Sequence, residues 1–239
     1  MQSWGTQDRF GHRFTEREPS KSGVIGLLCA ALGRGRDVPV GNLADLRMGV
    51  RADRDGRVEQ DYQTVGGTHR PDQVYGIRLA SGDLSKEAVV SWRYYVAGAD
   101  FLVGLEGPDE LLARLEQAVR RPVWQLALGR KAFPPGVPVH LPDPGGLRPG
   151  VSLEEALERE PWPGPHVFTM PEERDRPTQL RFVIECTPGA SNEVRTDQPI
   201  GAAFATRIFA PRYVQTLFRD LGTHVPLREE SHVPVTTDP

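Results

Sequence analysis

Apolar residues recur along this chain in two rhythms, one helical and one of period two, and their order lays out an α+β protein with mostly antiparallel strands. In Pro19–Gly33 the positions Val24, Leu27, Leu28 and Ala31 fall at i, i+3, i+4 and i+7, with Ser20 or Ser22 placed to cap the helix and Gly33 to stop it. Arg47–Asp53 then alternates, with Met48, Val50 and Ala52 on one face and Arg47, Gly49 and Arg51 on the other. Arg54-Asp-Gly56 signals a hairpin, and Val58–Val65 reads as its returning strand, Tyr62 and Thr64 on one side. Gly66–Glu87 is polar and punctuated by Gly66, Gly67, Pro71 and Ser81-Gly82 around a strand from Val74 to Leu79, the pattern of an inserted hairpin or mobile loop.

Alternation resumes in Ala88–Val96, where one face is expected in the core and the other presents an arginine and aromatic surface. Phe101–Leu105 reads as a buried strand. Pro108–Arg121 reads as an amphipathic helix with Leu111, Leu112, Leu115, Ala118 and Val119 inward and Pro122 as its stop. Leu126–Phe133 reads as a short strand running into a basic turn at Gly129, Arg130 and Lys131. From Pro134 to Pro165 proline and glycine predict irregular chain, broken by an acidic helix from Ser152 to Glu160 that Ser152 caps. Gln179–Thr187 is a strand, Ile208–Leu217 a further element, and Arg219–Pro239 a polar tail expected to fray.

A chain of 239 residues with 38% hydrophobic content is large enough for a packed core. Its longest apolar run, Val24–Leu32, is too short to span a bilayer, and no basic segment with an apolar signal core begins the chain, so no membrane role and a cytoplasmic location are expected. Cys29 and Cys186 form no C-x-x-C or Cys/His ligand set, so both are read as buried thiols and no metal or cofactor is expected.

Charge changes the picture only in its distribution. The net of −3 divides into a basic excess before residue 136 and an acidic excess after it, and 26 of the 29 cations are arginine, whose planar fork suits phosphates and bases. A GC-rich genome supplies arginine by default, so charge alone does not establish nucleic-acid binding. Lys21 stands at a helix start, where free N–H groups and the helix dipole favour a phosphate. The surrounding pattern is not a P-loop, and Gly23 and Gly26 fit equally a core helix packed closely on a sheet.

Catalytic signatures are sparse. The six histidines form no H-E-x-x-H and no G-x-S-x-G accompanies them. His69, in the polar insertion near Arg70 and Tyr62, supports an alternative reading as a metal-independent endoribonuclease working by general acid–base chemistry. A histidine in a polar loop more often has no chemical role.

Five ordered segments carry a family resemblance: MQSWG at Met1–Gly5, PSKSGVIGLLCAALG at Pro19–Gly33, DYQTVGG at Asp61–Gly67, WRYYVAGADFLVGLEG at Trp92–Gly107, and LGRKAFPPGVPV at Leu128–Val139. With DQPIGAAFATRIFAPRYV at Asp197–Val214, they resemble the CasD subunits of the type I-E CRISPR Cascade complex, the fifth RAMP family. Leu141–Pro177 matches poorly. The resemblance implies a ferredoxin-like, RRM-like RAMP fold with an inserted β-hairpin thumb. By residue number this places a RAMP domain at 1–139 with the thumb at 66–87, an irregular linker at 140–178, completing strands at 179–218 and a polar tail at 219–239.

The implied function is that of a non-catalytic subunit that holds the five-prime handle of CRISPR RNA and caps the backbone of the complex, beside its backbone and large subunits. The thumb is expected to wedge into the guide and displace a nucleotide, a separate subunit to cut the precursor, and target DNA to be met only through guide pairing. Lys21, Ser22, Arg47, Arg51, Arg130 and Lys131 are the candidates for handle phosphates. Tyr62, Trp92 and Tyr94 offer stacking surface or core, with Trp92 assigned to core, and Gln2, Arg70 and Arg93 are candidates for base edges. The family's first strand precedes the MQSWG segment, so a start upstream of Met1 is expected.

Overall fold

A computed structural model describes residues 1–6, 8–9, 11–66, 77–78, 81–83, 87–164, 176–206 and 208–228. Its elements are β1 (Asp8–Arg9), β2 (His12–Arg13), α1 (Lys21–Ala31), β3 (Arg47–Arg54), β4 (Arg57–Val65), β5 (Val89–Ala97), β6 (Asp100–Glu106), α2 (Asp109–Arg120), α3 (Leu153–Arg159), β7 (Gln179–Cys186), β8 (Glu193–Pro199) and β9 (Phe209–Asp220). The α+β class read from the apolar rhythms is the one the chain adopts. Most of the expected thumb, and with it His69 and Arg70, lies outside the described residues.

The body is an antiparallel five-stranded sheet in the order β6-β3-β7-β9-β8. Both of its faces are covered. On one, Val24, Ile25 and Leu28 of α1 and Leu115 of α2 pack with Leu43, Leu46, Met48 and Val50. On the other, Leu153 and Leu157 of α3 pack with Trp162, Leu180, Phe182 and Ile184. The alternation in β3 holds as a period, but the face carrying Gly49 and Arg51 is interior too. Gly49 stands opposite Gly104, and a β-carbon at either would come within 2.7 Å of a Leu157 or Leu153 methyl, so this bare cross-strand pair is the floor on which α3 lies.

Four expectations are corrected. The segment 140–178 does not act as a linker over its described part, because Leu153 and Leu157 of α3 and Trp162 supply three of the eight buried residues of the second core. Leu126–Phe133 forms no strand: Gly129 adopts a φ of +83°, which breaks extended chain, and Leu128 instead bonds the Phe133 carbonyl and accepts from the Ser3 N–H. The tail begins later than residue 219, since β9 runs to Asp220 and Leu221 and Val225 are buried beneath Trp162. Strand β8 escaped the sequence reading because Glu193–Pro199 has almost no apolar alternation.

The fourth concerns Asp55-Gly56. Strands β3 and β4 do not pair with each other; β3 pairs with β6 and β4 with β5. Arg54 faces Asp100 and Arg57 faces Ala97, so the register carries straight through and the four strands make one long two-stranded ribbon. Gly56 and Gly98, at φ +69° and +67°, bend it where it leaves the body. The distal half of the ribbon joins β2, parallel to β5, and β1 in a second sheet of order β1-β2-β5-β4.

Candidate nucleic-acid interface

The helix start of α1 binds an anion, and that anion belongs to the protein. Ser20 caps through Gly23 N–H, while the Lys21 N–H donates to Asp197 Oδ2 at 2.7 Å, in the bulge of β8. Asp197 also takes Nε and Nη2 of the buried Arg212 at 2.7 and 3.1 Å. The Lys21 ammonium is buried and lies 2.9 Å from Glu185 Oε2; burial pushes its pKa down, against the raising hydrogen bond from Glu185. Lys21 is thus an interior cation, and its assignment to a handle phosphate is corrected. Ser22 is half-buried beside Ser20, 3.5 Å between hydroxyls.

Arg51 is corrected for the same reason. Fully buried, it binds Asp53 Oδ1 at 2.7 Å and donates to the carbonyls of Leu157 and Glu160, which ties α3 to β3. Desolvation pushes the Asp53 carboxyl up to about 6 in spite of Arg51. Arg47 is half-exposed yet held by Glu154 and Glu106, the Glu154 hydrogen bond raising its pKa, and its Nε donates to the Glu185 carbonyl. Neither of the two strand cations expected to face phosphate, Arg47 and Arg51, presents an unpaired charge. Gln2 is buried with its amide satisfied by the Ala99 carbonyl and the Trp4 indole N–H.

The remaining candidates converge on the second sheet. Tyr62 lies directly opposite Trp92, and Gln60 opposite Tyr94, so these four side chains share a face of the ribbon. The parallel partner β2 sets His12 beside Trp92, rings stacked at 4.9 Å and 10°, and Phe14 stacks on Tyr94 at 5.2 Å and 19°. His12 and Phe14 are themselves near-parallel at 6.0 Å and 15°, and Tyr62 meets Trp92 edge-on at 5.6 Å. Trp92, assigned to core, is half-buried and stands in this open stack. Arg93 lies on the opposite face, its Nε 3.2 Å from Ser91 Oγ.

Arg130 fastens this surface. Its guanidinium donates to the carbonyls of Tyr94 and Arg13 at 3.3 and 2.9 Å, pinning β2 against β5. Lys131, next along the turn, is exposed. Sequence reasoning missed His12 and Phe14; the signal was their i, i+2 spacing beside the i, i+2 pair Trp92 and Tyr94. Among the described residues no group of three His, Cys, Asp or Glu is placed to hold a metal ion, and no helix is long and apolar enough to cross a membrane. His69, on which endoribonuclease chemistry would depend, lies outside the described residues.

Residues 1–215 match the family model described as CRISPR-associated protein (Cas_Cas5). The CRISPR system Cascade subunit CasD of Escherichia coli (strain K12) is 34% identical over 155 residues, which are 59% of this chain and 66% of that protein, just under two thirds of its length. Among solved structures, one described as the crystal structure of a Cas protein is 37% identical with a TM-score of 0.70, covering 95% of this chain and 93% of its own. A chain of a CRISPR RNA-guided surveillance complex is 28% identical, also at a TM-score of 0.70, covering 92% of this chain and 86% of its own.

Proposed function

The chain belongs to the CRISPR-associated Cas5 family, and from that premise we propose that it is a non-catalytic subunit of an RNA-guided surveillance complex that holds the five-prime handle of CRISPR RNA. The observation that carries this reading is the match to a Cascade subunit in sequence together with the match to a surveillance-complex chain in structure. Because Lys21 and Arg51 are interior and Arg47 is paired with Glu106 and Glu154, the outer sheet and the Gly129–Lys131 turn are the RNA contacts of this reading. Backbone and large subunits are the expected protein partners, and target DNA is met through the guide.

Co-expression with a CRISPR array and the neighbouring subunits, followed by sequencing of the co-purified RNA, tests the reading. Guides sharing one uniform five-prime handle are the expected result. Absence of guide RNA from a fully assembled complex overturns it.

Two finer expectations follow. Lys131→Ala should weaken RNA retention and reduce the slope of log affinity against log salt by about 0.7, the share of one single-strand phosphate contact. A salt titration that gives the wild-type slope removes Lys131 from the interface. Deleting Val74–Lys86 between glycine spacers should leave the body folded, because β4 and β5 still pair through nine residues each, but should impair assembly of the guide-bound complex. A deletion variant that enters the complex and retains guide as the wild type does would reduce the insertion to a tolerated loop.

A further inference from the structure

The geometry points to the ring-bearing face of the second sheet as a stacking surface for unpaired RNA bases, an inference that rests on the guide-holding reading above. Five aromatic rings stand on this one face, and two of them are well exposed, Phe14 at 47% and Tyr62 at 59%. Four of them, His12, Phe14, Trp92 and Tyr94, have contacting planes within 10 to 19° of each other. A nucleobase can stack against exposed rings of this kind, and every base has a face with which to do so.

Charge selects the occupant. The β4 and β5 positions of this face carry Val, Gln, Thr, Tyr and Trp and no Asp or Glu, while the acids of β4, Glu59 and Asp61, fall at the alternate positions and so on the other face. The cationic turn Arg130-Lys131 abuts the β2 edge through the Arg13 carbonyl. A polyanion that lays bases on the rings therefore meets cations beside them and no carboxylates among them, which is the combination of stacking platform and electrostatic flank that single-stranded nucleic acid takes. The rims are polar as well, with Gln60 donating to the Tyr94 hydroxyl at 2.9 Å. The stack is also preorganised, since Arg130 holds both strands that build it, so little side-chain freedom is lost on binding.

The test uses the full-length chain and labelled oligoadenylate RNA, with a ribose-phosphate oligomer of equal length lacking bases as the second probe. His12→Ala/Phe14→Ala should bind oligoadenylate about tenfold or more weaker than wild type, with the salt slope unchanged, because stacking is lost and phosphate contacts are kept. The abasic oligomer should bind both proteins alike, and Phe14→Trp alone should bind oligoadenylate at least as well as wild type. Because His12 and Phe14 are exposed, thermal melts of the double variant should match wild type. Wild-type affinity for oligoadenylate in the folded double variant, or an equal loss for the abasic oligomer, overturns the stacking surface. A wild-type complex that retrieves no guide overturns the functional reading instead, and the oligomer titration decides the stacking surface on its own terms.

Discussion

Arg51→Ala is expected to lower the unfolding free energy by about 3–5 kcal/mol, the cost of breaking a buried ion pair by removing one partner. The guanidinium is fully enclosed and joins three things: the Asp53 carboxylate, the Leu157 and Glu160 carbonyls at the end of α3, and the floor of the second core. Truncation leaves Asp53 buried without its counter-charge, strands two carbonyls and opens a cavity. For a chain of this size the melting temperature should fall on the order of 10 °C.

The pH dependence identifies the cause. Asp53 in the folded protein is already pushed up to about 6, above its ordinary 3.8, because burial outweighs the attraction of Arg51. A carboxyl whose folded pKa is raised binds its proton more tightly when folded, so its contribution is complete below the ordinary value and is lost as pH rises through about 6. Without Arg51 the carboxyl rises further, so the variant should be more strongly destabilised at neutral pH than near pH 4. Adding Asp53→Asn should recover part of the loss at neutral pH. Differential scanning calorimetry across that range checks it: a pH-independent penalty, or a variant as stable as wild type with only RNA affinity reduced, would return Arg51 to the surface.

Gly129→Ala is expected to cost about 2–4 kcal/mol through backbone strain and lost burial. At φ +83° a β-carbon would overlap the Ser3 carbonyl oxygen, a backbone atom that no rotamer change can move aside. Relief requires that Gln2–Trp4 separate from the turn, giving up the Ser3–Leu128 hydrogen bond and the burial of Trp4. The neighbouring Lys131→Ala should change stability by less than about 0.5 kcal/mol, as exposed substitutions do. Denaturant midpoints compare the two, and hydrogen exchange at Ser3 and Val96 should accelerate only in the glycine variant; equal midpoints would mean that the turn is free of the N-terminal segment.

Much of this protein is legible in its sequence. Period 3.6 and its caps located α1, α2 and α3, and Ser20 and Ser152 cap as the residue types predict. Period two located β3 and β5, and short apolar runs of strand length located β6 and β7. The ordered segments from MQSWG to the Asp197–Val214 run carried the family. These are local properties, set by neighbours a few residues away, and no folded context is needed to state them.

What the tertiary structure alone decided is where each polar group finds its partner. Lys21 and Arg51 had the chemistry of phosphate ligands, but Glu185 and Asp53 meet them inside, and Asp197 takes the α1 terminus from 176 residues away. Asp55-Gly56 had the chemistry of a hairpin, but β6 claimed β3 and the turn became the bend of a ribbon. The aromatic surface formed because β2, two residues long, docked parallel to β5 and set His12 and Phe14 beside Trp92 and Tyr94. A side chain's type fixes what it can bind, and only long-range pairing, which one sequence does not encode locally, determines whether that capacity is spent within the fold or left at its surface.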